Sequence, residues 1–96
     1  GSGVALPHAR STQIDRVVGT FILLEKPVDF EAVDQQPVDL IFALFAPETA
    51  GVEHLKALAL VSRTLRDPML RSKLRANPDS STLFTILTEA QNVQAA

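Results

Sequence analysis

The chain has no cysteine, which excludes a disulfide framework and thiolate-ligated metal sites and fits a cytoplasmic protein. It has no tryptophan or tyrosine, and its five aromatic residues are all Phe, leaving little material for stacking on nucleic-acid bases. Nine Lys and Arg against eleven Asp and Glu give a formal net charge of -2, so electrostatics make no case for nucleic acid as a partner. No apolar run approaches the roughly 20 residues that span a bilayer, and nothing resembles a secretory signal. Internal repeats and low-complexity segments are absent. What remains is a 96-residue chain, 46% hydrophobic, large enough for one core and too short for two. Residues 1–96 are therefore expected to form a single domain.

Histidine is also scarce, with only His8 and His54. His8 follows an apolar run, Gly3-Val4-Ala5-Leu6, and a proline, Pro7. Proline restricts the residue before it to extended geometry and has no amide hydrogen for a ladder, so Leu6-Pro7 predicts the end of a strand. Val17-Val18-Gly19-Thr20-Phe21-Ile22-Leu23-Leu24 predicts a second strand, apolar on both faces and closed by Glu25-Lys26-Pro27. Val28-Asp29-Phe30 is a short extended piece, and Asp34-Gln35-Gln36-Pro37 reads as a turn. Val38 to Ala46 predicts another strand apolar on both faces, stopping at Pro47, with Phe42 and Phe45 in the core.

The period then changes. Val52, Leu55, Leu58, Ala59, Ser62 and Leu65 recur at three- and four-residue steps, which predicts an amphipathic helix beginning close to Gly51. Asp67-Pro68 predicts an N-cap with proline at the first helical position of a short helix through Leu74. Asn77-Pro78-Asp79 interrupts it. Asp79 or Ser80 caps a last helix that carries Leu83, Phe84, Ile86 and Leu87 inward and frays from Gln91 to Ala96. Arg63, Arg66, Arg71, Lys73 and Arg75 read as the solvated faces of two helices. Strands first and helices after predict an α/β chain with a mixed sheet between helices.

A histidine acts as a nucleophile only if one ring nitrogen is free, and it is held in place when the other is committed as a donor to something fixed. A backbone carbonyl near Leu6-Pro7 would meet the second condition for His8. His54 falls in the first turn of a predicted helix, where unpaired amides and the helix dipole favour an anion. Arg10 is the nearest cation to His8 in sequence, and in an extended segment its side chain points the same way. Ser11 and Thr12 add hydroxyls, so residues 9–12 are expected to form a loop that walls the site. The ordinary alternatives are a surface histidine at a strand end, a solvent-facing His54 beside Glu53, and a solvated Arg10. The spacing of His8, Glu53 and His54 matches no zinc motif, and neither a metal nor a cofactor is expected.

Three stretches resemble the enzyme IIA domains of the fructose, mannitol and nitrogen-related branches of the bacterial phosphoenolpyruvate-dependent phosphotransferase system. They are Gly3-Val4-Ala5-Leu6-Pro7-His8-Ala9-Arg10, the segment from Gln36 to Pro47, and the segment from His54 to Leu65. The resemblance implies an α/β fold, a mixed β-sheet sandwiched between helices with the N-terminal third absent. It implies His8 as phosphoryl acceptor and His54 as phosphoryl stabiliser, with weaker roles for Arg10, Ser11 and Thr12. The family arginine that assists transfer lies upstream of the resemblance, and no residue here is assigned to it. Gly1-Ser2 leaves two readings open, a native glycine-rich loop or a vector remnant.

The implied donor is the small histidine phosphocarrier protein, charged by enzyme I. The implied receivers are an enzyme IIB domain in sugar uptake or regulated target proteins in a nitrogen-related switch. The stretches Glu25-Lys26-Pro27-Val28-Asp29-Phe30 and Pro37-Val38-Asp39-Leu40 look closer to the nitrogen-related branch. A protein-binding module without phosphotransfer is the alternative of a different class. Two strands apolar on both faces need more cover than residues 47–90 supply, so an exposed apolar surface is expected, one that self-association would bury.

Overall fold

A computed structural model describes residues 2–77 and 79–95 of the chain. Gly1, Pro78 and Ala96 lie outside the described residues, and with them the expectations placed on Gly1, on Pro78 as helix breaker and on the last residue. The elements run β1 (Val4–Ala5), β2 (His8–Ser11), β3 (Val18–Val28), β4 (Val38–Pro47), α1 (Val52–Leu65), α2 (Pro68–Arg75) and α3 (Ser80–Ala95). Strands precede helices and the sheet is mixed, as the sequence predicts. Two compact units emerge, Gly1–Leu55 and Lys56–Ala96, with the boundary inside α1.

In the first unit β4 is the central strand. β1 and β2 pair with it in parallel, and β3 pairs with it antiparallel. Val4 lies opposite Leu40 and His8 opposite Leu44, so β1 and β2 share one register. The expected strand end at Leu6-Pro7 is thus an interruption. Pro7 has no amide hydrogen to give, but its carbonyl accepts the Leu44 N–H at 2.9 Å, and pairing resumes at once. Gly3 starts this edge strand at φ 80°, a left-handed conformation that glycine adopts without steric cost, and its carbonyl accepts the Leu40 N–H at 3.0 Å.

The faces of β4 differ sharply. Val38, Leu40, Phe42, Leu44 and Ala46 are buried, whereas Ile41 and Ala43 are half-buried and Phe45 is 42% exposed. The sequence reading of Phe45 as core is corrected here: a period of two puts it on the face opposite Phe42. On that same face β3 presents Val18 opposite Phe45 and Ile22 opposite Ile41, both exposed. The expected exposed apolar surface lies on this face. Burial on both faces of these strands, also expected, is not found among the described residues. β3 runs beyond Leu24, but its pairing with β4 is irregular between Leu23 and Val28, where Val28 rejoins opposite Val38. The turn at 33–36 is held by Gln35 N–H to Ala32 O at 2.9 Å and by Asp34, whose carboxylate accepts the Ser2 and Gln36 amides.

In the helical unit Asp67 caps α2, accepting the Met69 N–H at 3.0 Å, with Pro68 starting the helix as predicted. Asp79, rather than Ser80, caps α3: its carboxylate accepts the Thr82 N–H at 3.0 Å and its carbonyl the Leu83 N–H. The helix continues to Ala95 where fraying was expected from Gln91. Leu83 and Leu87 are buried, Ile86 is intermediate, and Phe84 is 73% exposed, a correction to its inward assignment. Arg71 is no solvated ornament. Its guanidinium donates to the Leu65 and Arg66 carbonyls at 2.9 and 2.7 Å, satisfying acceptors at the end of α1.

Candidate functional site

The site is built inside the first unit, from the break between β1 and β2 and the first turn of α1. Gly3, Pro7 and Ser11 turn their carbonyls toward β4, where they accept the amides of Leu40, Leu44 and Glu48. By strand alternation the Leu6 carbonyl faces the free edge. His8 Nδ1 lies 3.0 Å from that oxygen. A carbonyl only accepts, so this contact requires a hydrogen on Nδ1, and in the neutral ring it is then Nε2 that carries the lone pair. His8 is exposed, and the ring therefore presents a free nitrogen while its other nitrogen is fixed to the backbone. Leu6 was not individually legible as the partner, since only the fold shows which carbonyl the ladder leaves free.

His54 comes from α1. β4 ends at Pro47, and a short turn, with Ala50 N–H bonded to Pro47 O at 3.0 Å, leads into the helix at Val52. His54 is the third helical residue, so it occupies the first turn as predicted. Its ring centre is 5.8 Å from that of His8, with the planes tilted by 50°. The solvent-facing alternative fails, because His54 is only 5% exposed. Its Nδ1 is buried with no hydrogen-bond partner. The buried stripe of α1 is consequently set one residue off the predicted one. His54, Val61, Thr64 and Leu65 are buried, whereas Val52 and Leu55 are 61% and 62% exposed. Two members of this stripe, His54 and Thr64, are polar and carry no apolar signal in the sequence.

The remaining expected residues divide between the two sheet faces. Residues 9–11 belong to β2, so the expected loop is confined to the turn after Ser11. Arg10 lies two positions beyond His8, opposite Ala46, on the same face as His8 and exposed. Ser11 falls on the opposite face, and its hydroxyl oxygen accepts the Gln13 N–H at 3.1 Å. Thr12 is exposed in the turn that follows. The fold thus brings His8 and His54 together, keeps Arg10 on the same face of β2 as His8 and turns Ser11 from it. The chemistry this allows, when the ring is in its neutral form, is nucleophilic attack on an electrophile by an imidazole held to the backbone through Nδ1, with a second ring close by. Among the described residues no group of three or more His, Cys, Asp or Glu gathers around a potential metal position.

Comparison with known proteins supplies context for this geometry. Residues 1–90 match the family model of the phosphoenolpyruvate-dependent sugar phosphotransferase system, EIIA 2. A nitrogen regulatory protein of Bradyrhizobium diazoefficiens is 48% identical over 87 residues, 91% of this chain and 57% of that protein. One from Klebsiella oxytoca is 43% identical over 91 residues, covering 94% and 56%. A fructose-specific EIIA component of Haloferax volcanii is 30% identical over 89 residues, 93% of this chain and 58% of that protein. The crystal structure of the nitrogen regulatory protein IIA-Ntr from Neisseria meningitidis aligns with a TM-score of 0.85 at 37% identity, over 91% of this chain and 60% of that one. The chain thus spans somewhat over half the length of these relatives. On the match across residues 1–90, the chain belongs to the EIIA 2 family of the phosphoenolpyruvate-dependent sugar phosphotransferase system.

Proposed function

We propose that the chain is the histidine-bearing part of a cytoplasmic phosphocarrier domain and that His8 takes the phosphoryl group from the phosphohistidine of the small histidine phosphocarrier protein. The carrying observation is the Nδ1 bond from His8 to the Leu6 carbonyl, which leaves Nε2 free on an exposed ring. The Nε2 lone pair attacks phosphorus as the donor's nitrogen–phosphorus bond breaks and its electron pair returns to the donor's ring nitrogen, while the hydrogen stays on His8 Nδ1, bonded to the Leu6 carbonyl. Such transfers need in-line positioning and donors for the spread negative charge more than they need a base. His54 is the nearby ring, and with its hydrogen on the unpartnered Nδ1 it gains an acceptor when phosphoryl oxygens arrive. Arg10 is a second candidate contact for those oxygens.

We read the output as a regulatory switch. The curated relatives between 38% and 48% identical are named nitrogen regulatory proteins, while the fructose-specific EIIA component is 30% identical. Phosphate on His8 adds negative charge and acceptor oxygens to an exposed surface, which changes what docks there. The second reading, transfer to an enzyme IIB for sugar uptake, rests on that fructose-specific relative. Intact mass after incubation with phosphoenolpyruvate, enzyme I and the phosphocarrier tests the core of the proposal. One acid-labile phosphoryl group is expected on the parent and none on His8→Ala; equal labelling of both would refute it. Rapid loss of the label to a fructose-type enzyme IIB would instead favour the sugar-transport reading.

A further inference from the structure

We propose that His8 and His54 together form a two-histidine site for a borderline divalent cation of the zinc or nickel type. Three observations converge. The Nδ1 of His8 is bound to the Leu6 carbonyl, the arrangement by which metal-ligating histidines fix their orientation and raise the basicity of the free nitrogen. His54 is only 5% exposed, with Nδ1 lacking any partner. The ring centres stand 5.8 Å apart. With metal–nitrogen bonds of about 2.0–2.1 Å, two imidazoles that chelate one ion place their centres roughly 5–6 Å apart, so little rearrangement is needed.

Imidazole suits zinc and nickel, whereas an all-nitrogen pair is a poor match for magnesium or calcium. His8 would bind through Nε2 and His54 through a ring nitrogen carrying a lone pair. With no third protein donor among the described residues, water completes the sphere and affinity is modest. The regulatory consequence rests on the phosphocarrier reading: the lone pair that binds the cation is the one that attacks phosphorus, so cation and phosphoryl group exclude each other at His8.

Calorimetric titration of the protein with zinc chloride near neutral pH is expected to show one equivalent bound by the parent. Binding should weaken at least about tenfold in His8→Gln and in His54→Gln, each first checked for native circular dichroism, and persist in Arg10→Ala. Nitrogen-15 spectra of the parent's imidazoles give a readout independent of substitution. Zinc should shift both rings while the Nδ1–H of His8 stays protected. Binding that neither substitution alters, or spectra in which zinc moves only one ring or none, would overturn the site. In a second arm, the isolated phosphorylated carrier serves as donor, which removes enzyme I from the assay. Saturating zinc should slow labelling at least about tenfold and a chelator should restore it. A chain that binds zinc through both rings yet never labels refutes the phosphocarrier reading and leaves the cation site standing.

Discussion

His54 is the residue whose environment differs most from its apparent place in the sequence. A polar ring in the first turn of a helix ordinarily faces water, yet here it is buried with an unpartnered Nδ1. A buried polar atom without a partner is costly unless something completes it, and an arriving phosphoryl oxygen does so under the proposed function. Losing one preorganised donor to a developing anion commonly costs about 10²–10³ in rate. Replacement of His54 by Ala is therefore expected to slow phosphorylation of His8 by that order while leaving the label on His8. Rapid-quench transfer assays read this directly, and an unchanged rate would remove His54 from the transfer step.

Gly19 offers a test at the same scale. A Cβ built there would lie 2.7 Å from two atoms of the Phe42 ring, which packs over the glycine from the neighbouring strand. Phe42 is nearly buried, so its ring has little room to yield. Gly19→Ala is predicted to lower stability by about 1–3 kcal/mol through overpacking, measured by urea denaturation. A neutral result would mean that the ring has an alternative resting place.

Among the elements, α3 depends on its cap. The Asp79 carboxylate accepts from the Ser81 hydroxyl, the Thr82 amide and the Thr82 hydroxyl, and these bonds hold it below the usual carboxylate range, the Ser81 bond foremost. A carboxyl depressed in the folded state contributes stability above its ordinary value and loses it as the pH falls through its folded one. Urea midpoints of the parent are thus expected to fall as pH drops below about 4, where ordinary Asp protonates, and Asp79→Asn should flatten part of that decline. Parallel acid limbs in the two proteins would show that the cap contributes no charge-dependent stability. The cap itself was legible in sequence, down to a choice between two adjacent residues. By contrast, the Arg71 bonds to the end of α1 were not, since only the turn into α2 brings that guanidinium back to Leu65 and Arg66.

For the molecule as a whole, one face of the sheet remains largely apolar and open. Val18, Ile22 and Phe45 are each between 40% and 42% exposed on it, with Ile41 and Ala43 between them. Such contiguous apolar surface binds hydrophobic dyes and promotes association. The 96-residue chain is expected to enhance dye fluorescence and to show a mass that rises with concentration in light scattering. The paired substitution Ile22→Thr and Phe45→Ser should reduce both effects. A monodisperse parent without dye binding would contradict this expectation.

Local chemistry determined much of this protein before any folding was considered. Pro7 placed a strand interruption beside His8, Asp67-Pro68 started α2, and alternating or three-to-four spacing separated strands from helices. Those features follow from fixed dihedrals, missing amide hydrogens and side-chain periodicity, all properties of neighbours in sequence. Tertiary structure alone decided which face of α1 is buried, which side of β4 Phe45 occupies and which carbonyl receives the His8 hydrogen. It also brought two histidines 46 positions apart to 5.8 Å. The reason is that burial and ladder pairing are set by partners distant in sequence: β4 takes up the odd-numbered carbonyls of its edge strand and so leaves Leu6 free to fix the ring.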